Sequence, residues 1–151
     1  MLPRQIRQFL RASPTERKVF SLAFATVAAV RVALFLFPSG VIVRWVRRLA
    51  LQPSKVTSIQ ATPALLMWGV QTASRYVPRA SCLTQAVAGL LLLHRYGHKA
   101  NLCIGVANTK SGGFRAHAWL ERKGSVILGG DVSGFTRMSA FPVSRTGSSD
   151  V

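Results

Sequence analysis

The chain has 151 residues, 49% of them apolar, which is enough for one domain with a sizeable core and excludes an intrinsically disordered protein. The chain has twenty Lys and Arg but only four Asp and Glu, which gives a formal charge of +16. This charge favours acidic peptides, acidic proteins, anionic membrane or nucleic acid as partners. The alternative is a basic surface that is only solvated. Two cysteines do not make a disulfide framework, and the start of the chain lacks a signal-peptide pattern, so a reducing cytoplasm is the expected location.

The N-terminal part of the chain is predicted to be helical and basic. Residues 13–16, Ser-Pro-Thr-Glu, combine a Ser cap, a Pro at the first helical position and a Glu that completes a capping box. This helix is predicted to run to about Phe37, and a second helix over 41–51 carries Arg44, Arg47 and Arg48 before a break at Pro53-Ser54. We expect residues 1–55 to form a basic helical region that packs on the core.

The stretch from Val19 to Phe37 is nearly as long and apolar as a membrane span. Arg31 lies well inside it, and a central Arg costs roughly 2.5–3.5 kcal/mol on membrane-insertion scales. We therefore expect a helix buried against the rest of the domain. Spanning or peripheral membrane attachment is the alternative.

The second half of the chain is predicted to place helices before an antiparallel sheet, which is an α+β arrangement. Apolar periodicity and turn residues predict helices over 64–76 and 81–96, and strands over 101–107, 114–121 and 125–128. Residues 56–141 are expected to form the core, and the polar residues 142–151 a disordered tail.

Cys82 and His117 are the candidates for a catalytic nucleophile and its base. Cys82 follows the predicted cap Ser81 at the start of a helix, where the helix dipole stabilises a thiolate, the nucleophilic form of cysteine. His117 lies in the middle of a strand, and it can meet the thiol as a base if the sheet packs on that helix. Asp131, one strand later, is the best candidate to orient the imidazole, since Glu121 is about 13 Å along the strand from His117.

This order of Cys, His and Asp on helix, strand and next strand resembles the transglutaminase-like superfamily. Within it, four segments resemble the lasso-peptide leader peptidases: residues 81–86 (SCLTQA), 90–97 (LLLLHRYG), 104–106 (IGV) and 114–121 (FRAHAWLE). The resemblance covers roughly residues 64–138. It implies a papain-like cysteine peptidase core and a triad made of Cys82 (nucleophile), His117 (general base and acid) and Asp131 (orienting the imidazole).

The resemblance also implies a reaction and its partners. The enzyme would remove the leader from a ribosomally made lasso-peptide precursor, and a lasso cyclase would then join the freed amine to an acidic side chain. A separate small leader-binding protein would deliver the substrate, and no cofactor is implied. A transglutaminase-like acyl transferase and a non-catalytic peptide-binding module are the alternatives on the same fold.

The remaining signals are weaker. Cys103 in the first strand is expected to be a packed core thiol, and Trp119 either lines the cleft or packs in the core. His94 and His98 lack zinc-ligand spacing with Cys82, so we expect no metal site. The tryptophans are not interleaved with basic residues as in nucleic-acid modules, so we expect no nucleic-acid partner.

Overall fold

The computed structural model describes residues 12–52 and 60–142, with the side chains of residues 139–142 excluded. In this part of the chain, four helices precede a four-stranded antiparallel sheet with the strand order β3-β2-β1-β4. The helices are α1 (Pro14–Leu36), α2 (Ser39–Ala50), α3 (Pro63–Ser74) and α4 (Cys82–Arg95). The strands are β1 (Asn101–Asn108), β2 (Phe114–Arg122), β3 (Ser125–Leu128) and β4 (Thr136–Pro142). The predicted α+β arrangement is confirmed.

Helix α1 starts at the predicted capping box and buries one face. The N–H of Glu16 donates to Ser13 Oγ at 3.2 Å, and the N–H of Ser13 donates back to Glu16 Oε2 at 2.6 Å. The buried residues recur every three or four positions along the helix: Val19, Ala23, Val27 and Val30. Gly69 of α3 lets the two helices approach closely, because a Cβ there would lie 3.1 Å from Val19 Cγ1.

The opposite face of α1 is apolar but open. Val32, Phe35 and Leu36 are exposed, and by length and composition the helix could also cross a membrane. The expected packing against the domain is therefore present on one face only. A helix of this kind is found both in cores and in membranes, so the location of the protein stays a prediction.

Helix α2 is amphipathic. Ile42, Val46 and Ala50 recur every four residues and are buried, whereas the arginines predicted for its basic side are exposed. The predicted helix over 41–51 is confirmed within two residues. The predicted break at Pro53-Ser54 lies outside the described residues.

Helix α4 lies directly on one face of the sheet. Its Gly89 permits this contact, since a Cβ there would lie 2.8 Å from Leu120 Cδ1 of β2 and 3.2 Å from Leu128 Cδ2 of β3. Ala118 and Leu120 belong to the same buried core as the helices. Because side chains alternate along a strand, His117, Trp119 and Glu121 lie on the other face of β2.

The fourth strand was not predicted. β4 pairs antiparallel with β1, from Val106 opposite Thr136 to Asn101 opposite Pro142, with a shift in register between Ile104 and Gly105. Its residues lack a strong apolar alternation and end in Pro, so the strand depends on its long-range partner. Residue 142, expected to begin a disordered tail, is the last residue of this strand, and residues 143–151 lie outside the description.

Candidate active site

Cys82 is the first residue of α4. The Ser81 hydroxyl accepts a hydrogen bond from the N–H of Thr84 at 3.3 Å, which confirms Ser81 as the cap. The first backbone hydrogen bond of the helix is donated by Gln85 N–H to the Ser81 carbonyl. The N–H groups of Cys82 and Leu83 therefore come before the first backbone hydrogen bond within the helix. The thiol is partly exposed. A thiol that is partly open to solvent at the first turn of a helix is accessible to a substrate.

The imidazole of His117 is held by a backbone carbonyl. Its Nε2 atom lies 2.7 Å from the carbonyl oxygen of Gly129, which follows β3. A carbonyl only accepts hydrogen bonds, so Nε2 carries the proton in the neutral ring, and Nδ1 is the nitrogen that can accept one. The ring also packs at a tilt against Phe135, with 5.0 Å between the centroids, and stacks against Trp119.

The start of α4 lies over the part of the sheet that carries His117. Leu83, next to Cys82, and Ile104 of β1 line the same cavity. Ile104 is the Cα partner of Ala118, next to His117. However, Cys82 packs on the helical side of the sheet, whereas His117 points to its other face. Among the described residues, the thiol makes no hydrogen bond, and none joins it to His117.

Asp131 lies two residues beyond the carbonyl that holds His117. Its Oδ1 accepts a hydrogen bond from the N–H of Ser133 at 2.9 Å, and this bond lowers the pKa of the exposed carboxyl. Within the described part of the chain, the carboxylate makes no hydrogen bond to His117. The position expected for it beside the imidazole is taken by the Gly129 carbonyl, and its catalytic role remains a prediction.

Glu121 is engaged in a separate cluster on the same face of β2 as His117. Its Oε1 accepts a hydrogen bond from Trp119 Nε1 at 2.8 Å and pairs with Arg137 of β4. The bond from Trp119 is the main reason why the pKa of Glu121 lies below its ordinary value. Trp119 itself is only 2% exposed, and its ring covers Gly105, so little of it is open to a substrate.

The second cysteine is poorly suited to be the nucleophile. Cys103 is fully buried, as expected for a packed core thiol. Burial, helped by the negative charge of Glu121, raises the pKa of its thiol to about 11. Such a thiol is almost entirely protonated near neutral pH.

Two further histidines support the backbone on either side of residues 53–59. His94 Nε2 lies 2.8 Å from the Gln52 carbonyl, and His98 Nε2 lies 2.7 Å from the Ala61 carbonyl. In residues 12–52 and 60–142, no group of three or more His, Cys, Asp or Glu side chains is placed to hold a metal ion. Both imidazoles thus have structural contacts.

The fold and the order of these groups can be compared with known proteins. A family model described as the transglutaminase-like superfamily matches residues 26–140, which is more than half of the chain. The chain belongs to the transglutaminase-like superfamily. This superfamily includes cysteine peptidases and acyltransferases and usually relies on a catalytic cysteine. The comparisons with curated proteins and with solved structures gave no match.

The transglutaminase-like match spans all three residues of the predicted triad, Cys82, His117 and Asp131. Sequence reasoning missed Gly129 and Phe135, which hold the imidazole of His117 in the structure. The Gly129-Gly130 pair after β3 is the one signal that could have pointed there, since both glycines have positive φ. Phe135 carried no such signal.

Proposed function

We propose that this transglutaminase-like protein is a cysteine peptidase in which Cys82 is the nucleophile and His117 is the base. The observation that carries the proposal is the placement of Cys82, with a partly exposed thiol, at the capped start of α4. Cys103, with its raised pKa, offers no competing nucleophile. The superfamily's usual dependence on cysteine agrees with this assignment.

The reaction would proceed in two halves. His117 Nδ1 takes the proton of the Cys82 thiol, and the thiolate attacks the carbonyl carbon of the scissile bond. His117 returns the proton to the leaving amine as the C–N bond breaks, which leaves a thioester on Cys82. His117 then takes a proton from water, the resulting hydroxide attacks the thioester, and the thiol and a free carboxylic acid are released.

Developing negative charge on the carbonyl oxygen needs donors. The N–H groups of Cys82 and Leu83 precede the intrahelical ladder and are positioned at the positive end of the α4 dipole. Cys82 and His117 lie on opposite faces of the sheet in this structure, so catalysis requires a rearrangement on substrate binding that brings the thiol and His117 Nδ1 together. Catalytic hydrogen bonds are often fully formed only in the complex with substrate.

Asp131 is proposed as the acid that orients His117. Its carboxylate is exposed and only two residues from Gly129, and this part would require the segment after β3 to rearrange so that the carboxylate replaces the Gly129 carbonyl at Nε2. In the arrangement described here, the Gly129 carbonyl performs the same task of fixing the tautomer. We therefore assign Asp131 a supporting part, weaker than that of His117.

The proposed substrate is a lasso-peptide precursor, whose leader is removed to free the amine used by a lasso cyclase. The resemblance of four sequence segments around Cys82 and His117 to the lasso-peptide leader peptidases supports this narrower assignment. A separate leader-binding protein would present the precursor. An acyl transferase that resolves the thioester with an amine is the second candidate, because the superfamily includes acyltransferases.

Mass spectrometry of a precursor incubated with this protein and its leader-binding partner tests the proposal. A peptidase yields two products whose masses sum to that of the precursor plus one water. An acyl transferase yields a product that has gained the acceptor amine and lost the leaving amine, which is ammonia when a glutamine side chain is the acyl donor. No change with the native protein, under conditions where the precursor is bound, would contradict both enzymes and favour a non-catalytic binding module.

A further inference from the structure

A cavity of about 320 Å³ opens beside the start of α4. Its walls come from three elements: Ser39, Gly40, Val43, Arg44 and Arg47 of α2, Leu83 of α4 and Ile104 of β1. The volume is at the lower end of the range for ligand pockets and suits one or two side chains rather than a folded element. Because Leu83 follows Cys82 directly, a peptide attacked by the thiol would pass this cavity.

Two arginines of this cavity lack an internal counter-charge. In residues 12–52 and 60–142, Glu121 pairs with Arg137, and neither Arg44 nor Arg47 makes an ion pair or a side-chain hydrogen bond. The other described carboxylates are Glu16, which caps α1, and Asp131, which binds Ser133 N–H. No acidic residue lines the cavity.

The spacing of these arginines favours a shared anion. Residues three apart on a helix lie about 5–6 Å from each other at Cβ, so both guanidinium groups can reach one ligand. Like charges at this spacing repel, and an anion between them removes that repulsion. The guanidinium group also matches a carboxylate with two parallel hydrogen bonds.

We propose that this cavity binds an Asp or Glu side chain of the peptide substrate, close to the bond that Cys82 attacks. The inference rests on the proposed peptidase function and adds a substrate class to it. Val43, Leu83 and Ile104 provide apolar walls for the methylene groups of such a side chain, and Arg44 with Arg47 would hold its carboxylate. A second cavity, between α3 and β3, has no charged lining residue and would not select for acids.

The test measures binding without turnover. Cys82→Ala protein is titrated into fluorescein-labelled octapeptides of Gly, Ala and Leu that carry one Glu at each position in turn, and into matched peptides with Gln in its place. We expect at least one Glu peptide to bind about tenfold more tightly than its Gln counterpart, as a charge-assisted hydrogen bond would give. Equal binding of all Glu and Gln pairs would overturn the inference.

Arg48 supplies a matched control, because it lies on the same helix, is exposed and does not line the cavity. Arg44→Gln and Arg47→Gln should each remove most of the preference for Glu, whereas Arg48→Gln should leave it nearly unchanged. If Arg48→Gln costs as much as Arg44→Gln, the preference comes from overall charge and the site is wrong. Circular dichroism confirms that each variant is folded.

The two proposals can fail separately. Cleavage of the precursor by the native protein, together with equal binding of Glu and Gln peptides, would overturn the acid-binding cavity and leave the peptidase intact. A Glu preference that depends on Arg44 and Arg47, without any cleavage of the precursor, would support the cavity and overturn the peptidase.

Discussion

His117 Nε2 lies 2.7 Å from the carbonyl oxygen of Gly129, at a position where the chain has no room for a side chain. The φ of Gly129 is +120°, which L side chains rarely adopt, and an added Cβ would collide with Cα and Cβ of Trp119. The same Cβ would come within 3.4 Å of Nε2 itself. The absence of a side chain at residue 129 therefore maintains the orientation of the imidazole.

Gly129→Ala should accordingly damage both stability and activity. The collision and the unfavourable φ together should cost on the order of 2–4 kcal/mol of unfolding free energy, because the backbone of Trp119 cannot move freely. The shift also displaces the carbonyl that binds His117. Urea unfolding and precursor cleavage measure the two effects.

Gly130→Ala is the matched control for this substitution. Gly130 also has a positive φ, +73°, but a Cβ there meets nothing within 4 Å. It should cost only the left-handed backbone penalty, about 1–2 kcal/mol, and leave most activity. Equal losses in the two variants would show that the contact with Trp119 and His117 is unimportant.

Some features of the fold and of the site could be predicted from the sequence because they depend only on neighbouring residues. Ser13 and Ser81 were identified as caps from the three or four residues that follow each of them, and both caps are confirmed. The contact of His117 with Gly129 could not be predicted, because any residue has a carbonyl and side-chain chemistry does not reveal where it points. Strand β4 was missed because its stability depends on pairing with β1, whose partner residues lie 30 or more positions earlier in the chain.

The face presented by β2 was also hard to predict. Alternation placed His117, Trp119 and Glu121 together correctly, but it does not say which face packs on α4. In the structure, the face of β2 that packs on α4 is the one that carries Leu120, whose side chain lies against Gly89 of that helix. Such a choice depends on how all layers pack, which a single strand does not encode.

Replacing Cys82 should abolish activity, whereas replacing Cys103 should affect only stability. Cys82→Ala should leave the fold intact and abolish cleavage, because it removes the nucleophile. Cys103→Ala should lose about 1 kcal/mol of stability from a small cavity and retain activity. Activity and thermal unfolding measured for both variants test the assignment, and an active Cys82→Ala protein beside an inactive Cys103→Ala protein would reverse it.

Alkylation at pH 7.5 provides an independent measurement on the native protein. With a pKa of about 11, on the order of 1 in 3,000 Cys103 thiols is ionised at this pH, and burial hinders access as well. Iodoacetamide should therefore label Cys82 first. Peptide mapping after brief treatment would identify the modified residue.

His117→Ala should be about as damaging as Cys82→Ala, on the order of 10⁴-fold in kcat/KM, because nucleophile and base act as a unit. Asp131→Asn should cost less, on the order of 10- to 100-fold, since the Gly129 carbonyl already holds the imidazole. Steady-state kinetics of both variants measure this order. An Asp131→Asn loss as large as that of His117→Ala would mean that the carboxylate, not the carbonyl, controls the histidine.

Glu121→Gln should affect acid stability rather than catalysis. Its bonds to Trp119 and Arg137 lower the pKa of Glu121 in the folded state, so its contribution to stability is fully present above its unfolded pKa. That contribution is lost as the pH falls through the lower, folded pKa. The native protein should thus lose more stability than Glu121→Gln between neutral and strongly acidic pH, as urea titrations at several pH values would show. A Glu121→Gln protein that is stable but inactive would identify Glu121 as the catalytic acid instead of Asp131.

The protein should be a poor peptidase by itself and should need its leader-binding partner. Four described helices form much of the chain, and the cavity beside Cys82 accommodates only one or two side chains, so little surface is left to hold an extended leader. Ordering a flexible peptide over the thiol costs free energy that so small a site offsets poorly. A tethering partner raises the effective concentration of the scissile bond, commonly to the millimolar range.

This delivery model predicts a specific kinetic pattern. The partner should chiefly lower the apparent KM for the precursor, since it supplies binding and leaves the chemistry at Cys82 unchanged. With a formal charge of +16, the protein should dock an acidic partner or leader through complementary potential, and this attraction is screened by salt. Raising the salt concentration from 50 to about 300 mM should therefore slow cleavage at low protein concentration. Equal kcat/KM with and without partner, at both salt concentrations, would show that this chain recognises its substrate unaided.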